Sequence, residues 1–267
     1  MKNLNFTKMS GAGNDFIVID NMAGKINLTV PQISKMCARQ TGIGADGIIM
    51  PERSKDYDFY MRFYNSDGSE AEMCGNASRC ISRFVHLHGY AGKKIKFLAK
   101  DGPHTAQIMA GTNVKIEMTD PTPVQDGIKV TAAGKEFTGG FVNTGVPHFV
   151  IEAKKLDTID IVTPGREIRF SKKFAPKGTN VMFIEKAKEG YAIRSYERGV
   201  ENETLACGTG ATAAAIVLAS RRKTKSPLVF YAPGGTLKIY FENQGGSFRK
   251  VYLEGPAEIV FEGKYSL

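Results

Sequence analysis

The sequence predicts an α+β protein of two pseudo-symmetric domains, each a β-barrel-like sheet wrapped around a central helix. Three observations support this fold class: an internal repeat, strand-like segments in both halves, and one distinct helix in each half. The strands do not alternate with helices as the parallel units of α/β proteins require. A chain of 267 residues is long enough for two medium-sized domains with cores of their own.

The repeat is visible as short motifs that occur twice at nearly constant spacing. Residues 16–20 are similar to residues 149–152, and Cys74-Gly75-Asn76 is similar to Cys207-Gly208-Thr209, in both cases 133 positions later. A third pair of segments, 114–121 and 249–256, is offset by 135 positions. Repeated motifs in one order indicate a duplicated structural unit.

The repeat also predicts the domain boundaries. The first domain is expected at residues 1–122, joined by a final strand at about 258–267, and the second at 123–257. Residues 119–125, which contain Pro121 and Pro123, are expected to form the linker between them.

Strands and helices are predicted from hydrophobic periodicity. Segments rich in β-branched and aromatic residues predict strands at 59–64, 93–100, 236–241 and 250–253. A helix is expected after each Cys-Gly pair, at about 76–88 and 209–220. The first helix has an apolar face formed by Ala77, Cys80, Ile81, Phe84 and Val85. The second is apolar on all sides, which requires that it be enclosed.

Composition excludes several classes of protein. The net charge of +9 would suit an anionic partner, but the basic residues are scattered and no nucleic-acid-binding motif is present. No apolar run is long enough to span a bilayer, and the first twenty residues lack the apolar region of a signal peptide. We therefore expect a cytoplasmic protein that binds neither nucleic acid nor membrane. The four cysteines form no C-x-x-C pair, and neither a disulfide framework nor a metal site is expected.

Two of the four cysteines are expected to be reactive. Cys74 and Cys207 each precede a glycine at a helix start, where the helix dipole lowers a thiol pKa from about 8.5 to about 3.5–7.5 and favours a bound carboxylate. Two such thiols in pseudo-symmetric halves suit removal of an α-proton on one face of an amino acid and its return on the other. A redox disulfide is the other reactive interpretation, whereas Cys37 and Cys80 are expected to be core residues.

Residues 72–80 and 197–210 resemble the two signature segments of the diaminopimelate epimerase family, and residues 8–16 resemble that family's N-terminus. The resemblance runs through the chain in the family's order. It implies conversion of L,L-diaminopimelate to the meso isomer without pyridoxal phosphate or any other cofactor, in the synthesis of lysine and of peptidoglycan precursors. It also implies a homodimer.

The resemblance further implies the residues of the site. Cys74 and Cys207 would be catalytic, and His148 and Glu197 would support them. The substrate would be bound by the helix starts and by cleft side chains: Asn14, Asn65, Gly75, Asn76, Asn180, Glu197, Arg198, Gly208 and Thr209. Arg198 suits the distal carboxylate because a guanidinium binds a carboxylate bidentately. Val146 and Gly47 depart from the residues common at these places in the family, which bears on substrate specificity.

Three alternatives remain at this level. A proline racemase or hydroxyproline epimerase would also use two cysteines, but it would carry His after the first Cys-Gly, where this chain has Asn76. A non-catalytic binding protein on the same scaffold is the second alternative. A dinucleotide site at Gly11-Ala12-Gly13 is the third, and it is disfavoured because the third glycine is missing and no strand is expected before it.

Overall fold

The structure is a computed structural model that describes residues 3–222 and 224–267. It divides into two compact units, one formed by residues up to Ile116 with Gly255–Leu267, and the other by Glu117–Glu254. No helix in residues 3–222 or 224–267 combines the length and the hydropathy needed to cross a membrane.

Strands dominate the described part of the chain. The helices are α1 (Val30–Cys37), α2 (Gly75–Leu87), α3 (Val162–Arg169) and α4 (Gly208–Arg221), with a short 3-10 helix at Lys172–Phe174. The strands are β1 (Asn3–Gly11), β2 (Asn14–Val18), β3 (Gly47–Glu52), β4 (Phe59–Asn65), β5 (Lys94–Ala99), β6 (Gly102–Ile108), β7 (Asn113–Glu117), β8 (Gln125–Ala132), β9 (Lys135–Asn143), β10 (Pro147–Glu152), β11 (Asn180–Lys186), β12 (Tyr191–Glu197), β13 (Asn202–Thr204), β14 (Leu228–Ala232), β15 (Gly235–Gln244), β16 (Ser247–Pro256) and β17 (Glu258–Ser266).

In the first unit the strands pair in the order β17, β1, β2, β3, β4, β5, β6, β7. The pairs β2–β3 and β4–β5 are parallel and the others are antiparallel. The last strand of the chain thus pairs with the first. Helix α2 packs against β1, β2, β3, β4 and β6, so the sheet surrounds it.

The second unit repeats this pattern. Its strands pair in the order β8, β9, β10, β11, β12, β14, β15, β16, with β10–β11 and β12–β14 parallel. Helix α4 packs against β9, β10, β11 and β15. Strand β13 pairs in addition with β12. Each unit therefore has a series of eight strands with parallel pairs in matching places and one central helix, which confirms the predicted fold class. β17 takes the place in the first unit that β8 takes in the second.

Burial of the central helix follows from the sequence in the second unit but only in part in the first. In α4, every residue from Gly210 to Ala219 is buried, as expected of a helix apolar on all sides. Its Ile216, Val217 and Leu218 are fully buried, and each contributes about 1.5–3 kcal/mol to stability. In α2 the predicted apolar face is buried, but polar residues on its other faces are buried too: Asn76, Ser78, Arg79 and Ser82.

A two-residue turn joins β1 to β2 and corrects one expectation. A strand does precede Gly11-Ala12-Gly13, since β1 ends at Gly11. Ala12 and Gly13 have φ of 59° and 90°, the left-handed region that such a hairpin turn requires. The turn leads into β2 rather than a helix, so it does not form a dinucleotide-binding loop. A Cβ on Gly11 would lie 2.8 Å from the Asn76 carbonyl oxygen, so glycine permits the hairpin to pack on the start of α2.

Candidate active site

In the first unit, Cys74 is the residue that precedes α2. Its backbone is extended, and its carbonyl oxygen accepts the first helical hydrogen bond, from Ser78 N at 2.8 Å. Its Sγ donates to Asn14 Oδ1 at 3.9 Å, and Asn76 Nδ2 donates to the same oxygen at 3.4 Å. The structure therefore brings together Cys74, Asn14 and Asn76, which lie far apart in sequence. The hairpin turn of β1 and β2 places Asn14 there.

Two charged residues that the sequence did not single out hold this cluster. Asn14 Nδ2 donates to Asp46 Oδ2, and Asp46 Oδ1 accepts from Arg39 Nη2 at 2.5 Å. Arg79 Nη2 donates to Asn76 Oδ1 at 3.0 Å, and its Nε donates to Pro256 O at 3.1 Å. A polar residue on a buried helix face is a signal that could have identified Arg79, whereas no local pattern marks Asp46.

Gly75 and Asn65 occupy different surroundings. Gly75 is the first residue of α2, and its carbonyl oxygen accepts from Arg79 Nη1 at 3.5 Å. Asn65 ends β4 and is exposed, and its Nδ2 donates to Ser69 Oγ at 3.0 Å within a tight turn. Its predicted role in binding stays a prediction.

In the second unit, Cys207 precedes α4 in the equivalent position. Its Sγ accepts from Gly210 N at 3.3 Å and lies 3.5 Å from Thr209 Oγ1. Gly208 is the first residue of the helix. Thr144 Oγ1 donates to Thr209 O at 3.0 Å and fixes the first turn of the helix against the end of β9.

Glu197 is the carboxyl group that acts directly on Cys207 within this unit. Its carboxyl group hydrogen-bonds to the Cys207 thiol and also accepts from Thr204 Oγ1. Burial raises the pKa of Glu197, and the hydrogen bonds of Thr204 and Cys207 oppose that rise. A buried carboxylate in contact with a thiol is a group that can take its proton.

The expectation of a lowered thiol pKa at Cys207 is wrong. Burial raises the pKa of Cys207 well above its usual value, and the negative charge of Glu197 raises it further. The hydrogen bonds from Thr209 and Gly210 lower it by less. Desolvation of the thiolate costs more than the hydrogen bonds at the helix start recover, so Cys207 is a thiol.

Asn180, Arg198 and His148 meet where β11 begins. Asn180 Oδ1 accepts from Arg198 N at 2.8 Å, and its Nδ2 donates to Pro147 O at 3.2 Å. β10 and β11 pair His148 with Asn180. Arg198 Nη1 donates to Lys177 O at 3.1 Å, and no carboxylate of the described residues forms an ion pair with it. A guanidinium without an internal counter-ion is available to an anionic ligand.

His148 is a fully buried histidine with unsatisfied ring nitrogens. Neither Nδ1 nor Nε2 has a hydrogen-bond partner among the described residues. Burial, and then the charge of Arg198, lower the pKa of His148 to about 3. His148 is therefore neutral near pH 7 and carries a free acceptor nitrogen.

This burial predicts an acid-sensitive stability. Because the pKa of His148 is lower in the folded than in the unfolded chain, the unfolded chain binds more protons below about pH 6.5, and stability falls as the pH falls toward 3. Between pH 6.5 and 5 we expect His148 to account for a loss of about 2 kcal/mol in the free energy of unfolding. Urea unfolding at both pH values should show a smaller loss in His148→Asn. The same change at the exposed His88 should leave the loss intact, and equal losses in all three proteins would contradict the prediction.

Glu201, which the sequence did not single out, holds the turn that carries Glu197 and Arg198. Its backbone N donates to Glu197 O at 2.8 Å, and its φ of 55° lies in the left-handed region. Its carboxylate accepts from Arg169 Nε at 3.1 Å, Tyr196 Oη at 3.2 Å and Gly199 N at 3.0 Å. These bonds make the turn rigid, which fixes two predicted site residues at once.

The other two thiols are core residues, as expected. Cys37 and Cys80 are 3% and 0% exposed. Burial raises the pKa of Cys37 to about 11 and that of Cys80 to about 12. No group of three or more His, Cys, Asp or Glu side chains suited to a metal ion occurs in the part of the chain that the structure describes.

Sequence comparison decides the family. The diaminopimelate epimerase family model matches residues 6–124 and 140–260. The chain belongs to the diaminopimelate epimerase family. It is 44% identical to the diaminopimelate epimerase of Chlorobaculum tepidum over 264 residues, covering 97% of this chain and 100% of that one. It is 42% identical to the diaminopimelate epimerase of Aquifex aeolicus over 277 residues, with 98% of each chain covered.

Solved structures with low sequence identity share the fold of this family member. A phenazine biosynthesis protein of the PhzF family from Bacillus anthracis superposes with a TM-score of 0.80 at 16% identity, over the whole of both chains. A hydroxyproline epimerase from Agrobacterium vitis superposes with a TM-score of 0.68 at 13% identity, covering 99% of this chain and 93% of that one. At these identities the likeness concerns architecture alone.

Proposed function

We propose that this member of the diaminopimelate epimerase family interconverts L,L- and meso-diaminopimelate. The observation that carries the proposal is the paired placement of Cys74 and Cys207, each immediately before the central helix of its own unit. One half of the site, with Cys74, would lie in the domain of residues 1–122 and 258–267. The other, with Cys207, would lie in the domain of residues 123–257.

The proposed reaction uses one thiolate and one thiol. The thiolate takes the α-proton, so that an S–H bond forms, a C–H bond breaks, and the electron pair is left on the α-carbon and its carboxylate. The second thiol then gives its proton to the opposite face and becomes a thiolate. In the second unit, Glu197 can take the proton of the resting Cys207 thiol, because the two groups share a hydrogen bond. His148, with its unsatisfied ring nitrogens, is proposed to support the thiols in the same way.

The backbone N–H groups at both helix starts, at Gly75, Asn76, Gly208 and Thr209, are proposed to bind the α-carboxylate and to stabilise the charge that develops on it. Asn14, Asn65 and Asn180 would offer amide groups to the substrate, and Glu197 would pair with an ammonium group. Arg198 would bind the distal carboxylate, a group that diaminopimelate has and proline lacks.

The proposal extends to the setting of the reaction. The proposed reaction needs no cofactor. It does need free thiols, and all four cysteines are free in the structure. A reducing cytoplasm keeps such thiols active. We also propose that the protein is a homodimer. Light scattering of the purified protein should then give a mass twice that of one chain.

The test is incubation of the purified protein with L,L-diaminopimelate under reducing conditions, without added pyridoxal phosphate or metal. Separation of the stereoisomers should show meso-diaminopimelate approaching equilibrium with the L,L form. Parallel incubations with L-proline and trans-4-hydroxy-L-proline should show no inversion. Turnover of either imino acid in place of diaminopimelate would overturn the proposal in favour of a proline racemase or hydroxyproline epimerase.

A further inference from the structure

A chain of hydrogen bonds runs through the start of α2 and ends on a charged group at each side. It passes from Asp46 to Asn14, then to Asn76, and then to Arg79. Cys74 Sγ contacts the middle of this chain, at Asn14 Oδ1. All five residues belong to the first unit.

The two ends fix which way each amide points. A guanidinium has donors only, so Arg79 requires the oxygen of Asn76 on its side and turns Asn76 Nδ2 toward Asn14. A carboxylate has acceptors only, so Asp46 requires Nδ2 of Asn14 and turns Asn14 Oδ1 toward Asn76 and Cys74. Reversing either amide would bring donor against donor or acceptor against acceptor.

Both ends are themselves held in place. Arg79 is fully buried, and it donates to two backbone carbonyl oxygens, those of Pro256 and Gly75, in addition to Asn76. Asp46 accepts from Asp15 N at 3.1 Å and is paired with Arg39. Neither end can turn without losing charge-assisted hydrogen bonds, which are the strong ones.

We propose that Asp46 and Arg79 are positioning residues that lock the Asn14 and Asn76 amides, so that an oxygen faces Cys74 and holds it in the proton-bearing thiol form. A thiol can donate to that oxygen, whereas a thiolate would be repelled by it. The inference rests on the proposed function for its meaning: before substrate binds Cys74 would be a thiol, ready to donate its proton in the direction in which Cys207, with Glu197 to take its proton, is the base. In the reverse direction Cys74 would be the base.

Titratable side chains also act on Cys74 electrostatically within its unit. Arg79 and the Cys80 thiol act on it from α2. The carboxylate of Asp101 accepts from Met73 N at 3.3 Å, one residue before Cys74. The test must therefore separate the effect of amide direction from the effect of a nearby negative charge.

The experiment is alkylation of Cys74 by iodoacetamide as a function of pH, followed by mass spectrometry of the Cys74 peptide, with the full-length protein and no substrate. The informative variant is Asp46→Asn, which keeps the shape of a side chain that is 40% exposed. An amide at position 46 can donate as well as accept, so it no longer requires Nδ2 of Asn14 on its side. Asp101→Asn is the matched control, because it also removes one carboxylate near Cys74 but leaves the amide chain intact. Arg79→Lys keeps a donor-only cation at the other end.

We expect the midpoint of Cys74 alkylation to move to lower pH in Asp46→Asn, making alkylation below the midpoint about threefold faster, which is about half a pKa unit. Asp101→Asn and Arg79→Lys should keep the wild-type midpoint. An unchanged midpoint in Asp46→Asn, or an equal shift in Asp101→Asn, would overturn the inference. Alkylation needs no substrate. If Asp46→Asn shows the shift but the wild-type protein does not epimerise diaminopimelate, the proposed function is contradicted and the positioning role of Asp46 and Arg79 is not.

Discussion

Replacing either Cys74 or Cys207 by alanine should lower the rate of epimerisation by about 10³-fold or more, because the inversion needs a proton acceptor on one face and a proton donor on the other. The rate is measured by separating L,L- and meso-diaminopimelate at early times. Alanine at Cys80 is the control. That thiol is fully buried in α2, next to the same helix start, and its loss should affect stability more than turnover.

Each single variant should keep one half of the chemistry. The remaining thiol can still remove an α-proton from its own face and return a solvent deuteron to the same face, so one stereoisomer should exchange its α-proton without inversion. The two variants should exchange different stereoisomers. Full epimerisation in either variant would contradict the use of two thiols.

Replacing Arg198 by methionine should lower kcat/KM for diaminopimelate by about 10²-fold, equivalent to about 3 kcal/mol, through loss of charge-assisted hydrogen bonds to the distal carboxylate. Arg198 suits this role because its backbone N and its Nη1 are anchored by Asn180 and Lys177, which makes the side chain pre-organised. Steady-state kinetics of the purified variant measure the effect.

Arg166→Met is the matched control, since Arg166 is an exposed arginine of the same unit. It should leave kcat/KM within about twofold of wild type, as a substitution of a surface charge generally does. A similar loss in both variants would indicate a general effect of charge, and full activity in Arg198→Met would show that Arg198 does not bind the distal carboxylate.

The fold was predictable because it depends on long, regular patterns. The repeat at 133 residues places Gly47 and Asn180 at equivalent positions, and the structure starts β3 and β11 at these residues. The helices expected at about 76–88 and 209–220 begin one residue earlier, at Gly75 and Gly208. The sequence does not predict strand β1 before Gly11, because polar residues interrupt its alternation of polar and apolar residues.

Candidate site residues could be predicted only where a sequence motif marks them, and their roles stay predictions. Cys74 and Cys207 were evident from their duplicated context, but Asp46 and Glu201 act through contacts between segments, which no local pattern shows. The predicted direction of the Cys207 pKa shift is wrong because a sequence shows where a helix starts, but it does not show that the thiol is buried and lies next to Glu197. Arg79 lies within a recognisable segment, but its complete burial is a property of the folded sheet around α2.

The measurement that tests the two-thiol reaction most directly is proton NMR of L,L-diaminopimelate conversion in D₂O by the wild-type protein, followed from the first few per cent of turnover. With two separate acid–base groups, the proton removed from the substrate is not the one returned. We therefore predict that the first meso product carries deuterium at the inverted carbon while the remaining L,L substrate carries almost none. Early meso product that retains the original proton, or deuterium that appears equally in substrate and product, would contradict this account.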